Sequence, residues 1–160
     1  MRFEHLVQIN DPLMPLLEPL SRAQLWRGLV LRAEQPMRFV LGLTGCAIHS
    51  RAEDAGRTTL TRTLVFGSFS VHDRVVLTPQ HGSLTRTDAG PTWPAIRLTI
   101  TIEEPQPELL FLRFVYEFEG ADETGELAAA TDELRRQAYK SSDLDTVQRI
   151  RELAERGELG

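Results

Sequence analysis

The chain has 160 residues, a length that predicts one domain, residues 1–160, with a core large enough to be stable without disulfide bonds or metal. Its hydrophobic and charged fractions, 41% and 26%, are typical of a soluble globular protein, and its net charge of −5 disfavours a nucleic-acid-binding surface. The single cysteine allows no internal disulfide, no apolar run is long enough to cross a membrane, and the first residues lack the apolar core typical of a signal peptide. We therefore expect a cytoplasmic protein with no nucleic-acid partner and no membrane insertion.

The first part of the chain predicts one strand and one helix. Residues 3–9 alternate between outward and inward positions, which indicates a strand. The apolar stretch 12–19 is broken by proline, so at most a short helix fits there. A firmer helix begins at Ser21, which has capping-box spacing with Gln24, and ends near Ala33 ahead of a proline.

From residue 43 to residue 118, alternating apolar residues punctuated by glycine and proline predict six further strands. We place them at 45–52, 58–66, 69–78, 83–88, 95–104 and 109–118, with an acidic loop at 120–125. The remainder, 126–156, has helical composition, and its apolar stripe includes Leu134, Ala138 and Ile150. Strands grouped apart from helices indicate an α+β fold, an antiparallel sheet with helices on one face. A curved sheet around the last helix would leave a space between them.

Two of these strands, 58–66 and 69–78, predict a β-hairpin with a two-residue turn at Gly67 and Ser68. The register places Arg62 opposite Asp73 on a face that is otherwise apolar. The four pairs on this face are Phe66/Phe69, Leu64/Val71, Arg62/Asp73 and Leu60/Val75. Because a charge in an apolar row needs a partner, we expect the Arg62 and Asp73 side chains to lie within hydrogen-bond distance.

Two interpretations of the Arg62–Asp73 pair are open. The pair could be a buried ion pair that only fixes the hairpin register. Alternatively, Arg62 projects into a cavity and binds a ligand carboxylate or carbonyl, while Asp73 orients its guanidinium. A mostly apolar cavity with one polar contact is typical of small-molecule sites. The pattern therefore favours ligand binding without naming a reaction.

His5 and Tyr116 are further candidates, because each lies in an otherwise apolar alternating row. His5 becomes a site residue only if its ring reaches the cavity near a carboxylate or Tyr116; otherwise it is a satisfied core histidine. The Tyr116 hydroxyl needs a buried partner, which ligand, water or protein could supply. The remaining histidines, His49, His72 and His81, have no partner at metal-ligand spacing, so we expect neither a metal nor another cofactor.

Short segments spread over nearly the whole chain carry a resemblance to a known family. They are Phe3-Glu4-His5, Ile9-Asn10-Asp11-Pro12, Leu25-Trp26-Arg27-Gly28-Leu29, Leu64-Val65-Phe66-Gly67, Val71-His72-Asp73-Arg74, Thr101-Ile102-Glu103-Glu104-Pro105 and Asp145-Thr146-Val147. In these segments the chain resembles the AtaL-like family of the START/Bet_v-type SRPBCC superfamily. The resemblance implies the helix-grip fold, a seven-stranded curved antiparallel sheet wrapped around a long C-terminal helix and enclosing a hydrophobic pocket. The superfamily includes lipid carriers, plant hormone-binding proteins and polyketide aromatase/cyclases, so the fold does not fix an activity.

We therefore expect a helix-grip domain that binds a hydrophobic small molecule, lipid-, polyketide- or aromatic-like, between the sheet and the C-terminal helix. Arg62 and Asp73 would orient the ligand, with Tyr116 and His5 as further polar contacts. The apolar lining would be Leu64, Phe66, Val71, Leu98, Ile100, Leu112 and Phe114.

Two alternatives stay open beside this expectation. In the first, the same cavity belongs to a cyclase- or aromatase-like enzyme, in which Arg62 or Tyr116 steadies an enolate and His5 or Asp73 transfers a proton. In the second, side chains fill the core and the domain acts through its surface without catalysis, for example as a homodimer.

Overall fold

A computed structural model describes residues 1–14, 16–120 and 125–160 of the chain. The elements are β1 (Arg2–Gln8), α1 (Arg22–Glu34), a short 3₁₀ helix (Pro36–Arg38), β2 (Gly45–Asp54), β3 (Arg57–Phe66), β4 (Phe69–Thr78), β5 (Gly82–Thr87), β6 (Ile96–Gln106), β7 (Leu109–Phe118) and α2 (Glu126–Glu155). This order is the predicted one, and each predicted strand is present with its ends shifted by at most two residues. Most of the predicted loop 120–125 lies outside the described residues.

The seven strands form one antiparallel sheet in the order β1-β7-β6-β5-β4-β3-β2. Strands β2 to β7 follow one another by hairpins or short connections, and β1 joins the far side of β7. The sheet is curved, and α1 and α2 pack on its inner face. The predicted α+β helix-grip fold is therefore confirmed.

Helix α1 begins where the sequence predicts. The Ser21 hydroxyl accepts a hydrogen bond from the Gln24 backbone N–H at 3.0 Å, and the Gln24 side chain accepts one from the Ser21 N–H at 3.0 Å. These two bonds form the predicted capping box. On the buried face, Gly28 allows a close approach of α2, because an added Cβ would lie 2.8 Å from Cγ1 of Ile150.

Helix α2 is continuous from Glu126 to Glu155, through the serines before Asp143. Its predicted apolar stripe is correct at Ile150, which is fully buried, but wrong in the first half of the helix, where Leu134 and Ala138 are exposed. The inward positions there belong to Tyr139 and Asp143. The Asp143 side chain bonds to other elements and so does not compete for the helix backbone.

The two helices cover only part of the sheet's inner face. The main core joins β1, β6 and β7 to both helices, and a smaller cluster under α1 contains Leu60 and Val75 of the β3–β4 hairpin. Towards the hairpin turn the cover ends: Leu64 and Val71 are half-buried, and Phe69 is 48% exposed. The apolar inner face of the hairpin is therefore open at this end. We call the half-buried and exposed inner residues Leu64, Phe66, Phe69 and Val71 the open hairpin face.

Gly82, at the start of β5, lies very close to the backbone of the neighbouring strand β6. A Cβ on Gly82 would lie 2.0 Å from the backbone carbonyl oxygen of Ile100 in β6. Because sheet backbone cannot easily yield, we expect Gly82→Ala to lower the free energy of unfolding by about 2–3 kcal/mol, measured by urea denaturation. Gly45→Ala is the matched control, since its added Cβ would meet Val65 only at 3.6 Å. Equal losses in the two variants would contradict the close approach at Gly82.

Candidate functional site

The β3–β4 hairpin has the predicted register. Its described pairs include Phe66 with Phe69, Leu64 with Val71, Arg62 with Asp73 and Leu60 with Val75. The turn is made by Gly67, whose φ of 61° lies in the left-handed region, and by Ser68. A positive φ at the first turn residue is typical of a type II′ hairpin turn and favours glycine there.

Arg62 and Asp73 form a two-pronged ion pair in the protein interior. The Arg62 Nε donates to Asp73 Oδ1 at 2.9 Å, and Nη2 donates to Oδ2 at 2.6 Å. The third nitrogen, Nη1, donates to the carbonyl oxygen of Ala33 at 2.7 Å. That carbonyl lies in the last turn of α1, where it has no partner within the helix. The predicted contact is confirmed, and the pair also ties the hairpin to the end of α1.

This arrangement bears on the two interpretations of Arg62. Each of its three nitrogens has an acceptor in the protein, as the register-fixing interpretation expects. Both side chains are buried, with 6% of Arg62 and 7% of Asp73 exposed. A ligand-orienting role would have to use the remaining N–H groups of Nη1 and Nη2, and it stays a prediction.

Tyr116 and His5 meet at a third residue, Asp143 of α2. The Tyr116 hydroxyl donates to Asp143 Oδ1 at 2.5 Å, and Nδ1 of His5 lies 3.1 Å from Oδ2. The Asp143 side chain is 1% exposed and Tyr116 is 4% exposed. The protein itself therefore supplies the partner that the buried Tyr116 hydroxyl needs, and the His5 ring reaches a carboxylate. We call Tyr116, Asp143 and His5 the interior triad.

Asp143 is a candidate site residue that the sequence analysis missed. Its signal is its position, four residues before Val147 and seven before Ile150, on the stripe that α2 buries. An acidic residue on a buried stripe needs polar partners. The partners come from β1 and β7, which are distant in sequence, so the helix pattern alone does not identify them.

Burial raises the pKa of two residues of the interior triad, Asp143 and Tyr116. It raises the pKa of the Asp143 carboxyl, although the hydrogen bonds from Tyr116 and His5 act in the opposite direction. Burial and the neighbouring Asp143 carboxylate also raise the pKa of the Tyr116 phenol, which therefore stays protonated as a donor at neutral pH. The Tyr139 ring stacks on Tyr116 with centroids 4.2 Å apart and covers this side of the triad.

Arg32 is a second interior residue that the sequence analysis missed. It follows Leu25 by seven residues and Gly28 by four, which places it on the buried face of α1. Its Nε is buried and has no hydrogen-bond partner. The charged and polar groups within electrostatic reach of its guanidinium are Tyr116, Asp143, Arg62 and Asp73. Arg32 is therefore near both the interior triad and the Arg62–Asp73 pair.

The predicted apolar lining falls into two groups. Leu64, Phe66, Val71 and Leu98 are half-buried. Ile100, Leu112 and Phe114 are at most 1% exposed and belong to the main core, so a ligand would reach them only if their neighbours moved. Their contact with a ligand stays a prediction.

Aromatic rings line the turn end of the open hairpin face. Phe66 stacks on Phe69 with centroids 5.3 Å apart, and Phe69 contacts Trp93 of the β5–β6 connection at 5.5 Å. The Trp93 indole N–H donates to the Asp88 carbonyl oxygen at 3.1 Å, which holds that connection beside the hairpin.

Two surface pockets lie away from these residues. One, of about 280 Å³, lies between the segment after β1 and the β6–β7 turn. The other, of about 490 Å³, lies between residues 37–43 and the second half of α2. Neither is lined by a predicted site residue, so the interior cavity between sheet and helix stays a prediction.

Metal binding and thiol chemistry find little support in the described ranges. Among those residues, no group of three histidine, cysteine, aspartate or glutamate side chains could hold a metal ion. Burial raises the pKa of the half-buried Cys46 thiol, which keeps the thiol protonated. None of the described helices has the length and apolar character that crossing a membrane requires.

The family of the chain is settled by its sequence. Residues 7–157 match the AtaL family, described as acetylaranotin biosynthesis cluster protein L. The chain belongs to the AtaL family. A comparison with curated protein sequences finds no match for this AtaL protein.

Solved structures share the fold of this AtaL protein at low sequence identity. The di-domain ARO/CYC StfQ of the steffimycin biosynthetic pathway has a TM-score of 0.68 at 11% identity over 98% of this chain and 52% of its own. The chain thus spans about half the length of StfQ. The ZhuI aromatase/cyclase from Streptomyces sp. R1128 has a TM-score of 0.58 at 15% identity, covering 98% and 94% of the two chains. Ara h 8.0201 has a TM-score of 0.60 at 11% identity, covering 94% of each. At these identities the likeness shows the fold alone.

A double-mutant cycle tests the Arg62–Asp73 pair. Arg62→Met leaves the Asp73 carboxylate and the Ala33 carbonyl buried without their donor, so we expect a loss of about 3–5 kcal/mol in the free energy of unfolding. Arg62→Met combined with Asp73→Leu should recover much of that loss, because neither charge remains. Urea denaturation measures both effects.

The half-buried pair Arg149–Glu152, 3.0 Å apart with side chains 41% and 37% exposed, is the matched control for this cycle. Its Met and Leu variants should show a coupling of less than about 0.5 kcal/mol. Additive losses at Arg62 and Asp73 would contradict a direct interaction between them.

The raised pKa of Asp143 predicts a pH-dependent stability. The folded state keeps the Asp143 proton to a higher pH than the unfolded state, so this residue contributes less stability as pH rises above its ordinary value of 3.8. Asp143→Asn cannot ionise, and its amide oxygen can still accept the Tyr116 hydrogen bond. We therefore expect the free energy of unfolding of Asp143→Asn, relative to the wild type, to increase as pH is raised from about 4 towards 7.

Urea denaturation at a series of pH values measures this difference. Asp145→Asn, at an exposed position on the same helix, is the control and should not show the trend. A relative stability of Asp143→Asn that is constant or falls with pH would mean that burial does not dominate at Asp143.

Proposed function

We propose that this AtaL protein binds a hydrophobic small molecule, lipid-, polyketide- or aromatic-like, between the inner face of its sheet and α2. The observation that carries the proposal is the open hairpin face. Leu64 and Val71 are half-buried, and Phe69 is 48% exposed, on the face that elsewhere forms the core. Uncovered apolar surface next to a few buried polar groups is the usual composition of a small-molecule site.

The comparisons support this ligand class. The description of the family is that of a protein from a biosynthesis cluster. StfQ and ZhuI, which share the fold, are named as an ARO/CYC and an aromatase/cyclase. Together these names favour a ligand from small-molecule biosynthesis. Burying its apolar surface would drive binding at about 25 cal/mol per Å², before the costs of ordering ligand and protein.

Within this proposal, Arg62 and Asp73 provide the polar contact to the ligand. The pair lies where the cover of α1 ends and the open hairpin face begins. Asp73 fixes the plane of the guanidinium, and the Arg62 N–H groups without a described acceptor would orient a ligand oxygen. The half-buried Leu64, Val71 and Leu98 would contact the apolar body of the ligand.

One observation favours a second function, a cyclase- or aromatase-like reaction in the same space. Asp143 contacts Nδ1 of His5 and orients the ring, which would transfer the proton in such a reaction. Tyr116, kept protonated, is a hydrogen-bond donor of the kind that stabilises an enolate. Recovery of a co-purified ligand unchanged after incubation with the protein would count against this reaction.

Native mass spectrometry of the purified protein, followed by extraction, tests for a bound compound directly. A binding assay with Nile red, a neutral hydrophobic dye, tests the location. We expect Val71→Trp to weaken Nile red binding at least tenfold, because the indole would fill the open hairpin face, and to change the free energy of unfolding by less than about 1 kcal/mol.

Val65→Trp is the matched control, since Val65 is also half-buried but points to the other face of the sheet. It should leave Nile red binding unchanged. Failure of the wild type to bind Nile red, or equal loss in both variants, would contradict the proposed site. The homodimer and the cytoplasmic location stay predictions.

A further inference from the structure

We propose that Arg32 binds a carboxylate of the ligand, so that this protein selects hydrophobic carboxylic acids over neutral hydrophobic molecules. The inference rests on the proposed function, because it names the chemical class of the ligand in the same interior site. Its basis is the position of Arg32 on the buried face of α1, its lack of a partner, and the complete pairing of the charged groups around it.

Arg32 stands apart from the other interior charges. Asp73 is held by Arg62, and both oxygens of Asp143 are engaged by Tyr116 and His5. Arg32, in contrast, makes no hydrogen bond or ion pair to any residue of the described ranges, and its Nε is buried. Among the described residues, Arg32 is thus a half-buried cation without a counter-ion in contact.

An unpaired guanidinium in this position is costly to the folded protein. Arginine side chains near a surface normally extend their charged end into water, whereas Arg32 is half-buried and its Nε is enclosed without a partner. Burial lowers the pKa of its guanidinium, but arginine stays charged at any pH at which the protein folds. A buried charge without a partner lowers stability, so its presence indicates a role outside the folding of the chain.

The geometry of the site favours a carboxylate as the partner. A guanidinium offers a planar fork of N–H donors that matches the two oxygens of a carboxylate. Arg32 is near the Arg62–Asp73 pair and the interior triad, but Asp73 pairs with Arg62 and Asp143 contacts His5 instead. A ligand acid held by Arg32 would extend its apolar part towards Leu64 and Leu98.

The test compares 2-naphthoate with its neutral methyl ester, which keeps the ring and the carbonyl but not the charge. Isothermal titration of the wild type should show at least tenfold tighter binding of the acid. Arg32→Met should remove that preference and leave ester and Nile red affinities within about twofold of the wild type. Arg32→Lys, which keeps the charge but not the fork, should retain part of the preference.

A control variant and the melting temperature of Arg32→Met show whether the effect is specific to ligand binding. Arg97→Met is the matched control, because Arg97 is exposed on the outer side of β6, and it should keep the acid preference. Without ligand, Arg32→Met should have a melting temperature equal to or above that of the wild type, because a buried unpaired charge is removed. A lower melting temperature would assign Arg32 a structural role instead.

The outcomes separate this inference from the proposed function. If the wild type binds Nile red and the ester but shows no preference for the acid, or if Arg32→Met keeps the preference, Arg32 is not a carboxylate-binding residue while the hydrophobic site stands. If the wild type binds none of the three compounds, the proposed function fails and this inference fails with it.

Discussion

The Arg62 side chain is the contact through which the hairpin, the helix and the interior are fixed relative to one another. Two of its nitrogens bind Asp73 across the β3–β4 hairpin, and the third binds the Ala33 carbonyl at the end of α1. The last carbonyl groups of a helix have no donor within the helix, and burying one without a donor lowers stability. The bond from Arg62 supplies that donor for the Ala33 carbonyl and links α1 to the hairpin. On the turn side of this contact, α1 no longer covers the inner face of the hairpin.

Towards the hairpin turn, the residues of the inner face become less buried. Leu60 and Val75 are buried under α1, whereas Leu64 and Val71, which lie closer to the hairpin turn, are half-buried. The polar residues of the interior include Arg32 and Asp143, one from each of the two helices. Under the proposed function, this apolar surface and these polar groups would contact the same ligand.

The β3–β4 hairpin and the positions of the strands along the chain were predictable because their determinants are local. Side chains in a strand alternate with period two and a two-residue turn fixes the register, so the pairing of Arg62 with Asp73 follows from the sequence pattern alone. Asp143 and Arg32 escaped prediction for the opposite reason. Each lies on a helix, and a helix pattern indicates which face is buried but not which strand that face meets.

The sequence by itself determined the elements of this protein, their order, the hairpin register, the capping of α1 and the need of each inward charge for a partner. These follow from periodicity, turn chemistry and the cost of burying a charge, all of which act over a few residues. Tertiary structure alone decided which partners those charges meet. The curved sheet and the helices bring together Tyr116 of β7, Asp143 of α2 and His5 of β1. They also place Arg62 against the end of α1. These distances depend on how distant elements pack, which no local sequence pattern specifies.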